Sequence, residues 1–150
     1  MNTTEKKKPK SILMEGPISP QFIGEEIGKH STKTNIGAHQ IFLGQIRSDI
    51  KNNKQVVAIE FTAYPEMVED AYLEIREQIF AKYSLTCMHV YHSLGRIKAG
   101  EINLFVFVSS AHRKDATLAC QEMVELIKTK LPVWGKELFD DENYSWKENV

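Results

Sequence analysis

The stretch that most constrains this chain is residues 102–109, Ile-Asn-Leu-Phe-Val-Phe-Val-Ser, in which six of eight side chains are apolar. A strand with one wet face alternates apolar and polar residues. A run this uniformly apolar predicts a strand covered on both faces. The chain must therefore build layers on either side of it, and 150 residues are enough for one domain with a real core.

The neighbouring segments supply those layers. Residues 38–46 and 55–63 read as strands. In the second, Val57, Ile59, Phe61 and Ala63 fall on one face and Val56, Ala58, Glu60 and Thr62 on the other. Between them, residues 48–54 read as a turn-rich, mobile connection. Pro65 suits the first turn of a helix, and Met67, Ala71, Ile75, Ile79 and Tyr83 recur every four residues behind it. Residues 86–92 are a strand candidate, and Lys98-Ala99-Gly100 a turn. A second helix is expected over 115–130, with Ala116, Ala119, Cys120, Met123 and Ile127 inward and Pro132 beyond its end. Residues 12–27 suggest a short strand and an irregular or helical turn, and 29–35 a loop. The order β-β-α-β-β-α predicts an α+β domain, a mixed or antiparallel sheet with helices packed on it.

The net charge of −1 gives no global pull towards nucleic acid or an anionic membrane. No apolar run approaches the roughly 20 residues that span a bilayer. Cys87 and Cys120 read as free thiols in a reducing compartment, so a cytoplasmic protein is expected. Residues 1–10, with four lysines, read as a disordered tail or a docking arm, and residues 11–150 as one domain.

Chemistry concentrates in few places. His112 and Arg113 lie between the apolar strand and the second helix, where free N–H groups and the helix dipole favour an anion. A guanidinium beside an imidazole there makes a phosphate or carboxylate site; the plain alternative is a strand-capping His and a solvated Arg. Lys128 sits beside the apolar stripe, like many solvated lysines. Its neighbours Lys130 and Lys136 could bring several ammonium groups to one cleft, lowering each other's pKa. Arg47 ends the first strand, as ordinary charged residues do. Trp134, Tyr144 and Trp146 read as core or interface aromatics. No glycine pattern fits a P-loop or dinucleotide fold. The five histidines show no metal-ligand spacing; His89 and His92, three apart in a strand, face opposite ways. No metal or cofactor is expected.

Several motifs resemble one family in order and spacing, over residues 37–146. They are Phe42-Leu43-Gly44-Gln45-Ile46-Arg47, the segment from Glu60 through Tyr64-Pro65 to Met67, His92-Ser93-Leu94-Gly95 with Gly100-Glu101, Ser110-Ala111-His112-Arg113, Lys128, and Pro132-Val133-Trp134-x-Lys136-Glu137. The chain resembles the molybdopterin synthase large subunit, the MoaE family. That resemblance implies an α/β-hammerhead fold with an added antiparallel β subdomain, and a central homodimer. It also implies a heterotetramer with two small ubiquitin-like sulfur-carrier subunits, each ending in Gly-Gly as a thiocarboxylate. Sulfur would pass twice to cyclic pyranopterin monophosphate (precursor Z), forming the dithiolene of molybdopterin.

By the same resemblance Lys128 and Lys136 are the catalytic candidates. Gln45, Ile46, Arg47, His112, Arg113, Lys128, Gly135, Lys136 and Glu137 would bind the pterin phosphate, with the phosphate at His112-Arg113. Lys128 would serve acid–base work, the developing negative charge, or the partner's terminal carboxylate. Two departures stand out. Where relatives place a lysine directly after the tryptophan, this chain has Gly135, with Lys136 expected to reach the same space. Many relatives also carry a basic tail past the last tryptophan, whose contribution is expected to be missing or supplied otherwise. The alternative reading is a catalytically weakened homologue that still docks the ubiquitin-like partner.

Overall fold

The computed structural model describes residues 11–147. The predicted tail over residues 1–10 lies outside the described residues. The chain runs β1 (Leu13–Glu15), α1 (Pro20–Gly28), β2 (Ala38–Gln45), β3 (Ile50–Lys51), β4 (Lys54–Ala63), α2 (Pro65–Lys82), β5 (Cys87–Lys98), β6 (Ile102–Ser110), α3 (Arg113–Lys130), β7 (Val133–Phe139) and β8 (Tyr144–Trp146). This is the α+β architecture expected, with an antiparallel subdomain added at one end.

The apolar strand β6 lies between β2 and β5, and its two faces serve two cores. Leu104, Val106 and Val108 pack against Val68, Tyr72, Ile75 and Ile79 of α2 and Ala119, Cys120, Met123 and Ile127 of α3. Phe105 and Phe107 face the other way, onto Ile18 and Ile23 at α1. Burying each such side chain contributes about 1.5–3 kcal/mol, so β6 anchors both layers at once.

Strand β5 links this sheet to the subdomain. Residues 87–92 pair with β6 and residues 95–98 with β4. The strand changes partner at Gly95, whose φ of 86° is the left-handed region that favours glycine. β4 then pairs with β7 and β7 with β8, enclosing a third core of Ile46, Val56, Ile59, Phe61, Ile97 and Phe139.

Three expectations change. The α2 stripe is Val68, Tyr72, Ile75 and Ile79, while Met67 is 53% exposed. A strict spacing of four drifts about 40° per step around a 3.6-residue helix, so residues 67 and 79 cannot share a face. The alternation in β4 breaks at a bulge between Val56 and Ala58, which brings Val56 into the core with Ile59 and Phe61. Residues 50–55 form a two-residue hairpin, with Asn52 and Asn53 at φ 53° and 64° as such a turn requires.

Gly37 sets the approach of the chain to the start of α3. A Cβ there would stand 2.2 Å from the Ala111 carbonyl oxygen, which is backbone and cannot turn aside. Gly37→Ala should cost roughly 1–3 kcal/mol by overpacking, read as a lower midpoint of urea unfolding. An unchanged midpoint would contradict this close approach.

Candidate functional site

Where the sheet meets the subdomain, the strand ends leave a cleft of about 430 Å³, within the range of small-molecule sites. β2 contributes Gly44 and Gln45, and Ile46 and Arg47 follow directly. β4 supplies Ile59 and Phe61, β5 supplies His92, and the last turn of α3 supplies Lys128. Gly135 and Glu137 come from β7, and Trp146 and Lys147 from the end of β8. The bend at Gly95 and the hairpin β7–β8 bring these distant segments together.

The cleft is basic. Arg47 holds its guanidinium against Asp49 at 2.7 and 3.2 Å and is otherwise exposed. Lys128 is half-buried, and its pKa is lowered first by burial and then by the charge of Lys147. An amine whose charged form is disfavoured is nearer to exchanging a proton at neutral pH. The two carboxylates on the walls are engaged: Asp49 with Arg47, and the buried Glu137 with Lys51 at 2.7 Å. Glu137 thereby ties the β3 hairpin to β7.

His92 sits at the back of the cleft, 7% exposed, its Nδ1 donating to the Ser93 carbonyl at 2.8 Å and its ring edge-on to Phe61. Burial pushes its pKa from 6.5 to about 4, helped by the charges of Lys128 and Lys147. The unfolded chain therefore binds this proton near pH 6.5 and the folded chain only near pH 4. The stability that neutral His92 contributes is full above about pH 6.5 and is lost as the pH falls towards 4. Denaturant titrations at stepped pH should show the wild type losing roughly 3 kcal/mol more over this window than His92→Gln. Equal losses would contradict a buried neutral imidazole.

The structure divides the residues singled out from the sequence. Gln45, Ile46, Arg47, Lys128, Gly135 and Glu137 meet at the cleft. Lys136 does not join them. It lies on the opposite face of β7 from Gly135 and Glu137, with its ammonium 3.3 Å from Glu60 and over the Tyr144 ring. In a strand, adjacent side chains point to opposite faces, so a lysine one position late cannot reach the same space.

His112 and Arg113 stand exposed at the other end of α3, His112 as its N-cap. Lys128 is fifteen helical steps beyond Arg113, about 22 Å along the axis. Within one chain the anion site read from the sequence is thus not part of the cleft.

Lys147, which the sequence reading did not single out, does reach it. Its backbone N–H donates to the Gly135 carbonyl at 2.9 Å, so the hairpin sets it beside the position where a lysine was expected. At Gly135 itself a Cβ would meet Ile59 Cγ2 and Phe61 Cε1 at 3.1 Å, because those side chains fill the space. Trp134, Tyr144 and Trp146 are 44%, 58% and 60% exposed, which removes them from the core. With Tyr64, Trp134 and Trp146 border an apolar hollow beside the cleft. No helix among the described residues is long and apolar enough to cross a membrane.

The MoaE protein family matches residues 15–130 of this chain. The chain is 33% identical to a molybdopterin synthase catalytic subunit of Rattus norvegicus, over 95% of its own length and 70% of the relative's. A crystal structure of molybdopterin synthase from Staphylococcus aureus superposes with a TM-score of 0.81 at 28% identity, covering 96% of this chain and 99% of that one. A complex of subunits 1 and 2 of molybdopterin-converting factor from Helicobacter pylori gives a TM-score of 0.76 at 17% identity, covering 91% and 88%, a likeness of fold.

Proposed function

Since this chain belongs to the MoaE family, we propose that it is the catalytic subunit of molybdopterin synthase and that sulfur transfer takes place in the cleft around Lys128. The observation that carries this reading is the half-buried Lys128 in a basic cleft, with Arg47 and Lys147 beside it. The substrate would be a pterin phosphate, cyclic pyranopterin monophosphate, and the donor a thiocarboxylate at the Gly-Gly end of a small ubiquitin-like subunit. Each transfer forms a carbon–sulfur bond at a side-chain carbon of the pterin, where a carbon–oxygen bond breaks and its oxygen leaves as water or stays on the phosphate, and then breaks the acyl–sulfur bond of the donor. The acyl carbon takes up the oxygen of water and leaves as a carboxylate. Negative charge develops on the acyl oxygen and on the sulfur, and an ammonium in a partly dry cleft stabilises it or returns the proton.

The exposed hollow at Tyr64, Trp134 and Trp146 adjoins the cleft and suits the arriving partner segment. That the Helicobacter pylori neighbour is a two-subunit complex supports such a partner. Lys147 takes the part of the lysine absent at Gly135. Lys147→Ala should then slow product formation about 10²-fold, while Gly135→Lys should not raise it, since Ile59 and Phe61 fill that space. Full activity in Lys147→Ala would remove it from the site.

His112 and Arg113 would serve through the homodimer. Each chain would present them, exposed, to the cleft of its partner, adding a second guanidinium and an imidazole for the phosphate beside Arg47. A central homodimer carrying one small subunit at each end makes the heterotetramer. The test is to combine purified chain, thiocarboxylated small subunit and pterin substrate. Co-elution with the small subunit and formation of molybdopterin are expected. Co-elution without product would favour a binding module, the reading that Gly135 invites.

A further inference from the structure

We propose that His30, Cys87 and His89 form a binding site for a divalent transition metal ion of the zinc type, on the α1 face of the sheet. It shares no residue with the cleft. Cys87 and His89 are two apart in β5 and so lie on one face. His30 reaches them from the turn that ends α1, 59 residues earlier in the chain. The Nε2 atoms of His30 and His89 are 3.1 Å apart, and with the Cys87 sulfur all three donor atoms lie within 4.8 Å of one another. Tetrahedral zinc, with bonds of about 2.0–2.1 Å to nitrogen and 2.3 Å to sulfur, needs N···N near 3.3 Å and N···S near 3.5 Å. Moving the Cys87 sulfur inward by up to about 1.3 Å, within reach of a side-chain rotation, meets that geometry.

The surroundings match those of a ligand set. His30 is 6% exposed, and its Nδ1 donates to the Glu26 carbonyl at 2.7 Å. That bond fixes the tautomer, leaving the Nε2 lone pair directed at the cluster, as metal-bound histidines require. His39 stands next in line, its ring 6.0 Å from that of His30 and its Nδ1 2.7 Å from the Ser109 hydroxyl. Ser109 in turn pairs with Cys87 across the sheet. Two imidazoles and a thiol are the borderline-soft donors that suit zinc, cobalt or copper rather than magnesium or calcium. The expectation of no metal rested on linear spacing, which cannot show ligands drawn from a helix-ending turn and a distant strand. A metal here would bind α1 to the sheet and leave a fourth position for water or His39.

The test uses untagged full-length chain stripped with chelator and titrated with Co²⁺, then Zn²⁺. One equivalent per chain should bind, with a thiolate-to-cobalt charge-transfer band that Zn²⁺ displaces, and Zn²⁺ should raise the Tm. Cys87→Ser should lose the band and His89→Ala should weaken binding at least about tenfold. Cys120→Ser, which removes the other thiol, should keep both. Each metal-free variant is checked for a cooperative melt, and wild-type uptake is read independently of them. Wild type that takes up no saturable equivalent of Co²⁺ would overturn the proposal. So would a charge-transfer band that survives Cys87→Ser.

Discussion

Mixing two inactive variants, Lys128→Ala and Arg113→Ala, should restore about a quarter of wild-type activity. In randomly reassorted dimers half are mixed, and each mixed dimer carries one intact cleft and one doubly damaged cleft. The expectation follows from a rigid distance. Both residues belong to α3, and about 22 Å of helix lies between them, so no motion of side chains lets one chain bring both to one substrate. If a second copy supplies Arg113, the mixture works where neither parent does. Activity no greater than that of the parents would place the whole site in one chain and remove His112 and Arg113 from phosphate binding.

Lys128→Ala alone should lower the rate of product formation by about 10²–10⁴-fold, the range for a positioned acid or base. Its Tm should move little, because the lysine lies beside the buried stripe of α3 rather than within it. Lys128→Arg separates the roles left open. Arginine keeps the charge but does not give up its proton near neutral pH. Recovery in the Arg variant would mean that charge stabilisation dominates, and continued loss that proton transfer does. Wild-type rates in Lys128→Ala would end the assignment of this cleft.

Local periodicity made some of this legible from the residues. The uniform apolarity of residues 102–109 required two covered faces, and Leu104 and Phe105 face different cores. The inward face of α3 could be read residue by residue because Ala116, Ala119, Cys120, Met123 and Ile127 follow the 3.6-residue turn. β7 could not. It follows a proline, contains Gly135, buries Glu137, and forms by pairing with β4 seventy or more residues earlier. Without that strand its alternation was invisible, and Lys136 was expected on the wrong face.

Closeness in sequence also misled at both ends of the site. Arg113 and Lys128 are near in the chain but held apart by a helix. Gly135 and Lys147 are nearly as far apart in number, yet the β7–β8 hairpin makes them neighbours. His92 shows the same limit. Its family motif was visible, but its burial against Phe61 beside two lysines was not.

A single turnover with radiolabelled thiocarboxylate on the small subunit asks whether the proposed cleft carries sulfur from that C-terminus to the pterin. Two labelled sulfurs in each molybdopterin formed are expected, with two small subunits returned as carboxylates, and labelled product that appears about 10²–10⁴-fold more slowly with Lys128→Ala. Stable binding of the small subunit while all label stays on its C-terminus would contradict it.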